Sequence, residues 1–428
     1  MIKKFINKII YKEIRNYKIY VRKNMKKAIF FVGKMNYSFF LNEIEYLKEK
    51  YEIVEVLAYE GNKEIYDKIC KKYNFNYSIV KNISLSSFFS LLFFKWFFKC
   101  ETLNEIKENF SFSRKGLQKV LYILLYGNFC ISIQKKISKF LKKDQEEILL
   151  YSYWLTRGAY SFCYLKNEMK NIKLKVISRA HGYDLYENRN ILNFLPFREY
   201  IDQHIDRIFF ISEDGKKYFE NRYKFKNTNK YFISKLGTEN NLHLKKKILK
   251  KNKICIASCS SIIKIKRLDI LIDILSRLKI DFYWIHLGEG ELSQKIREQA
   301  EKMLDHKNYK FYGNVKNSEI LNIYLENDVD YFINTSDSEG IPVSIMEAIS
   351  LGIPCIGRNV GGMREIVNTQ TGLLLDEVDY EKIEKFLEIR LNDIKEYENI
   401  LGNVIKFWEK NYNAKNNYED FLRKIEYK

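Results

Sequence analysis

Proline is nearly missing from this chain: 428 residues contain 3, at positions 196, 342 and 354. Where the residue is so scarce, each one is expected to fix a particular backbone turn. The 7 cysteines are scattered and none forms a C-x-x-C pair, which fits a reduced compartment with thiols used as small apolar residues. The N-terminus lacks an uninterrupted apolar core, so no secretory signal is visible. There is no zinc-ligand spacing, no ribonucleoprotein motif and no basic heptad arm, so nucleic acid is not an expected partner. The stretch "FVGKMNY" after the first apolar run lacks G-x-G-x-x-G, and "GEG" at 288–290 lacks the third glycine. A nicotinamide dehydrogenase is therefore a weak reading.

Acidic residues are also in deficit, 54 against 74 Lys and Arg, for a net charge of +20. AT-rich codons that accumulate lysine on solvated faces are a strong explanation; the sharper reading is attraction to an anionic membrane or to phosphorylated substrates. Hydrophobic residues at 46% allow full cores, and the length suits two or three domains.

Residues 1–24 form a basic amphipathic extension, with Ile2, Phe5, Ile6, Ile9 and Ile10 at helical spacing. It reads either as an interfacial anchor helix or as sequence ahead of a natural start at Met25. From Ala28 apolar runs and amphipathic segments alternate. Strands are expected at 28–33, 147–154, 175–182 and 207–212, a helix at 38–49, and Ser212 is expected to cap another helix. The polar, lysine-rich stretch 235–253 reads as a linker. The alternation then restarts at 254–260. Strands separated by helices imply parallel sheets. We therefore expect an N-terminal domain over 25–240, a linker over 241–253, a C-terminal domain over 254–404, and a C-terminal helix over 405–428 that crosses back. The α/β class follows, with two Rossmann-like domains and a ligand cleft at the carboxyl ends of their strands. In "ISLSSFFSLLFFKWFF", 83–98, seven of the eleven residues 88–98 are Phe or Trp. With Lys95 inside, it is too short to span a bilayer and reads as a buried helix or as one pressed into a lipid interface.

"SEGIPVSIMEAISLG", 338–352, keeps two acids eight positions apart at a helix start. A helix N-terminus stabilises an anion, and carboxylates accept hydrogen bonds from hydroxyls. A hydroxyl-rich ligand with a phosphate is a sugar nucleotide. The competing structural reading has Glu339 capping the helix and Glu347 solvated. Gly361 and Gly362, before Glu365, fit tight loop geometry equally well. "DVD" at 328–330 reads as a cap and a strand start, and no metal is expected.

This segment, followed by "GIPCIGRNVGGMREIV", resembles the E-x7-E region of the family 4 retaining glycosyltransferases, which have the GT-B fold. "IKRLDILIDIL" (265–275), "IHLGEGEL" (285–292), "FYGNV" (311–315), "SFFLNEI" (38–44) and "AHGYDLYE" (180–187) resemble further family segments in the expected order. The resemblance implies a UDP- or GDP-sugar donor, no cofactor, and a glycan or lipid-linked glycan acceptor in bacterial surface-polysaccharide assembly. It implies catalytic work for Lys266, Glu339 and His181. Donor contacts are implied for Glu347, Gly340, Ile341, Gly288 and Val315, and acceptor-side roles for Gly33, Glu43 and Asp184. Many members carry Arg where this chain has Ser261; Arg267, or the hydroxyls of Ser258, Ser260 and Ser261, is expected to serve the phosphate instead. His181 reads as a substrate contact more readily than as a structural histidine, and Tyr153 and Trp154 fit core or site alike. The expected location is cytoplasmic, peripheral at the inner face of the plasma membrane. Rival readings are a nucleotide-sugar epimerase on the same fold and an inactive transferase-like binding subunit.

Overall fold

A computed structural model describes residues 25–35, 38–81, 83–141, 146–190, 192–240 and 252–427. The extension 1–24 and most of the expected linker, 241–251, lie outside the described residues. The chain divides into two compact units. The first holds residues 1–209, 219–232 and 424–428; the second holds 210–218 and 233–423.

In the first unit, strand β1 (Lys26–Gly33) is followed by α1 (Ser38–Leu47), β2 (Tyr51–Ala58), α2 (Lys63–Tyr73) and β3 (Tyr77–Ile79). Four helices come next: α3 (Leu85–Phe88), α4 (Leu91–Phe97), α5 (Cys100–Asn109) and α6 (Arg114–Ile137). The unit continues with β4 (Ile148–Ser152), α7 (Arg157–Glu168), β5 (Leu174–Ala180), α8 (Arg198–His204), β6 (Arg207–Phe210) and β7 (Tyr231–Ile233); α9 (Glu213–Tyr223), between the last two strands, begins in residues that group with the second unit. The strands form one sheet in the order β3-β2-β1-β4-β5-β6-β7. Pairs from β3 to β5 run parallel. Ala28–Val32 are buried without alternation, as expected of a strand covered on both faces. Ser212 caps α9, its Oγ accepting from Gly215 N at 3.0 Å.

The second unit restarts the pattern: β8 (Ile254–Cys259), α10 (Leu268–Ser276), β9 (Phe282–Leu287), α11 (Ser293–Met303), β10 (Tyr309–Gly313), α12 (Asn317–Glu326), β11 (Tyr331–Asn334), α13 (Val343–Ser350), β12 (Cys355–Arg358) and β13 (Gly372–Leu375). Helices α14 (Tyr380–Asn392), α15 (Ile394–Asn411) and α16 (Ala414–Glu426) follow. Its sheet order is β10-β9-β8-β11-β12-β13, every pair parallel. Ile254, Ile256, Trp284 and Ile333 pack from the sheet onto Leu271, Ile272 and Leu275 of α10. In each sheet the winding reverses beside the first strand, between β1 and β4 and between β8 and β11. Loops at the carboxyl ends of such strands are where open α/β sheets bind ligands.

Three expectations need correction. The aromatic run 83–98 is not one helix: α3 and α4 break at Phe89–Ser90, where Ser90 Oγ accepts from Phe93 N. Residues 235–240 are not a linker. Thr238 N donates to Tyr412 O at 3.0 Å, its hydroxyl receives Trp408 Nε1 at 3.0 Å, and it is buried in the second unit. The C-terminal region is two helices, α15 and α16, broken at Tyr412–Asn413, and α15 already starts at Ile394. The tail from Lys424 groups with the first unit, where Lys175 Nζ reaches Ile425 O at 2.6 Å and Lys50 Nζ reaches Glu426 at 3.0 Å.

Candidate active site

In the second unit two loops leave the neighbouring strands β8 and β11. The first closes in a 3-10 turn, Lys264–Lys266, and the second runs from Thr335 to Pro342. They are stitched together by groups that sequence reading missed. Asp337 N donates to Ile265 O at 2.8 Å. Thr335 Oγ1 reaches Arg267 O at 2.8 Å and Lys266 O at 3.3 Å. The result is a contact of 2.6 Å between Lys266 Nζ and Glu339 Oε1. Ser336 Oγ at 2.7 Å and Asn334 Nδ2 at 3.4 Å turn to the same carboxylate oxygen. Charge-assisted bonds of this kind are roughly twice as strong as neutral ones. The run "NTSDSEG" after an apolar strand is the signal for this cluster: small hydrogen-bonding side chains are dense where strand gives way to loop.

Glu339 is not a helix cap. Helix α13 starts after Pro342 with no side chain bonded to its first N–H groups, so those donors stay with the loop that carries Gly340 and Ile341. Nor is Glu347 solvated: it is 7% exposed, and Asn317 Nδ2 donates to it at 3.0 Å. Burial pushes its carboxyl up to about 8. The glycines have a geometric reason. A Cβ at Gly361, whose φ is +51°, would lie 2.1 Å from Glu339 O, and one at Gly362 would lie 2.2 Å from Gly340 O. Glu365 also has a task, accepting Glu213 N and Asp214 N at the start of α9.

Neighbouring loops are equally tight. Gly288, at φ +133°, would bring a Cβ to 2.0 Å from Ser260 O, and its N–H donates to Gly313 O at 2.8 Å. Val315 is half-buried just ahead of Asn317. Ser261 is exposed. Arg267 does not offer an uncommitted charge in its place. Its guanidinium is held by Asp269 at 3.0 Å and by Asp337 at 3.1 Å, and these bonds raise its pKa. Arg358 pairs with the same Asp337. Ser258 is withdrawn too: buried, it receives Trp284 Nε1 at 2.9 Å and stands 2.8 Å from His286 Nδ1. Ser260 and Ser261 remain of the three hydroxyls. Asp330 of "DVD" is buried against Arg390 Nε at 3.0 Å and Cys255 N at 2.8 Å.

The first unit places a different set at its strand ends. Gly33 closes β1 at φ +76°. His181 follows β5, its ring centroid 4.9 Å from that of Tyr153 and 4.4 Å from that of Trp154. Tyr153 is core; Trp154 is half-buried and lies 4.8 Å from the exposed Tyr183 ring. Asp184 faces inward. It accepts from His181 N, Gly182 N and Leu155 N at 2.9–3.0 Å, and its Oδ2 is 3.5 Å from His181 Nδ1. Burial alone would raise its carboxyl; these partners outweigh burial and hold it below the usual range. Asp184 therefore positions the loop of His181. Glu43 is deeper still, fully buried, bonded to Arg179 Nε at 2.9 Å and Tyr151 OH at 2.6 Å. Burial raises its pKa despite both partners. The structure thus brings Lys266 and Glu339 together, sets Glu347 and Asn317 on neighbouring helices, and puts Glu43 and Asp184 in the interior.

The family model described as "Glycosyl transferases group 1" matches residues 240–406. The O-antigen biosynthesis glycosyltransferase WbnH of Escherichia coli is 27% identical over 282 residues, covering 63% of this chain and 74% of that protein. Among solved structures, the lipopolysaccharide outer core galactosyltransferase WaaB in its apo form superposes with a TM-score of 0.64 at 14% identity, covering 93% of this chain and 99% of that one. HepE of Anabaena in complex with UDP-glucose has a TM-score of 0.64 at 11% identity, over 93% and 98% of the two chains. With both sheets wound in the same order, the chain has the GT-B fold of two Rossmann-like domains, and the region that carries Lys266, Glu339 and Glu347 is the one that matches the group 1 glycosyltransferases.

Proposed function

We infer that the chain transfers a sugar, with retention of anomeric configuration and without a metal ion, from a UDP- or GDP-sugar to a glycan or lipid-linked glycan. The setting is bacterial surface-polysaccharide assembly at the inner face of the plasma membrane. One observation carries the reading: the convergence of Lys266, Ser336 and Asn334 on Glu339 Oε1 in a loop that leads into a helix N-terminus. In this reading Lys266 neutralises the departing diphosphate, Glu339 accepts hydroxyls of the donor sugar, and Glu347 accepts the ribose diol. His181 contacts the acceptor side, steadied by Asp184. The leaving phosphate oxygen takes the acceptor's proton on the face where the new bond forms. Catalysis then rests on placement and on charge stabilisation. A resident lysine supplies the positive charge that a divalent ion supplies elsewhere.

UDP donors come first in the test, because HepE was crystallised with UDP-glucose. The purified chain is incubated with a panel of UDP- and GDP-sugars, with and without a lipid-linked acceptor, and with EDTA. Mass spectrometry identifies the product and NMR its anomeric configuration. Donor converted without acceptor would mark an epimerase. An inverted product, or activity lost to EDTA and restored by manganese, would overturn the corresponding part of the reading.

A further inference from the structure

Among the described residues, fifteen large hydrophobic side chains are exposed, and ten of them lie between residues 83 and 121. This is less than a tenth of the chain, and single scattered exposures would not concentrate so. On α4 and its capping residue Phe98, Leu91, Phe94, Lys95 and Phe98 are exposed at helical spacing, while Phe93 and Trp96 of the opposite side are buried. The outward set includes Phe98 at 67% exposure; Phe89, just before α4, reaches 82% and Phe112, just before α6, reaches 93%.

These side chains are held on a firm support. Trp96 Nε1 donates to Tyr160 OH, and the Trp96 ring lies where a Cβ at Gly127 would meet it at 2.2 Å. Ser84 is tied to Asn128, Ser87 Oγ to Ser132 Oγ, and Asn109 to Lys119. Helices α3, α4 and α5 therefore run back along α6. Helix α6 is long and apolar enough to cross a membrane by composition, but half of that stretch is buried inside the unit. Its buried part carries Asn128, Ser132 and Gly127 in these bonds, while Leu117 and Leu121 near its start face outward. It is a core helix with one exposed end.

Charge selects the occupant. Residues 81–121 hold seven Lys and Arg against three Glu, with Lys95, Lys107, Arg114 and Lys115 exposed. In a chain of net charge +20 this face repels a second copy and attracts an anionic surface. Aromatic and leucine side chains beside lysines match the interfacial mode, in which rings enter the headgroup boundary and ammonium groups stay at the phosphates.

We propose that the exposed apolar faces of α4 and the start of α6, with Phe89 and Phe112, form a monotopic docking surface for a bilayer rich in anionic lipid. The surface does not depend on the transfer reaction and is measured without donor. The full chain is sedimented with vesicles of phosphatidylcholine and phosphatidylglycerol in equal parts, and with phosphatidylcholine alone. The parent binds the anionic vesicles, and Phe94→Glu/Phe98→Glu lowers partitioning by about tenfold or more. The variant keeps its circular dichroism and its activity on a soluble acceptor. Arg114→Glu/Lys115→Glu weakens binding mainly at low salt. Three results overturn the proposal. The parent leaves anionic vesicles unbound; the Phe94→Glu/Phe98→Glu variant binds them as the parent does; or the parent is a dimer by sedimentation and that variant a monomer, which gives the face to a second copy.

Discussion

Each unit holds a carboxylate–cation pair within a bond's length, and the two pairs are opposite in kind. Glu43 and Arg179 are both fully buried, and Tyr151 takes a further carboxylate oxygen. Lys266 and Glu339 also touch, but the lysine side chain keeps 23% of its surface and the glutamate 9%. The chemistry is alike; access differs. A buried pair without a route to solvent holds elements in place, here α1 against β5. A pair that opens at one partner can exchange that partner for a ligand. An acid on a helix after the first strand is therefore a poor guide to function until its burial is known.

The contrast breaks first at Arg179. Arg179→Met leaves a buried carboxylate without its cation, which costs about 3–5 kcal/mol. A thermal melt is expected to show the loss, with transfer failing because the first unit no longer holds together. Glu339→Ala and Lys266→Ala are expected to do the reverse. The melting temperature stays close to the parent's, while turnover falls at least about a hundredfold, the effect of removing one charge-stabilising contact worth roughly 3–4 kcal/mol. Near-normal turnover of either purified variant removes that residue from the chemistry.

A smaller effect separates holding from contact. Asp337→Ala removes the carboxylate shared by Arg267 and Arg358 but keeps the backbone bond to Ile265. Turnover is expected to fall about tenfold, from a Lys266 turn held less firmly; a loss as deep as that of Lys266→Ala would make Asp337 a direct participant. The mildest test is one of pH. The carboxyl of Glu347 is raised from 4.5 to about 8 by burial. The folded state thus binds its proton more tightly than the unfolded chain, so this group's contribution to stability falls as pH rises between those values. Glu347→Gln is expected to flatten that part of the melting-temperature profile. A decline equally steep in the variant assigns it to another group.

The α/β alternation was legible because each buried strand is a short apolar run and each helix carries a face at its own period. Glu339 and Glu347 stood out by their spacing at a helix start, whereas Lys266 was pointed to by the family resemblance alone and is joined to Glu339 only in the fold. Glu43 was given an acceptor-side role by resemblance alone; its full burial depends on Arg179, far along the chain, and no local pattern records that pairing. The stitches from Thr335 and Asp337 were hidden for a similar reason: they join side chain or amide to a backbone carbonyl some seventy residues away, and no local pattern records such a pairing. The break at Phe89–Ser90 was missed because no Gly or Pro announces it; a serine able to cap the next turn was the only mark.

The paired glycines at 361 and 362 press their bare Cα atoms against the carbonyls of residues 339 and 340. Anyone redesigning this enzyme to accept another sugar has no freedom to lengthen or tilt that stretch from below. Under the proposed role of Glu339 as a sugar contact, the side chains open to change are those such as Ser336 that hold its carboxylate, and a library that randomises the glycine step is expected to return mostly broken protein.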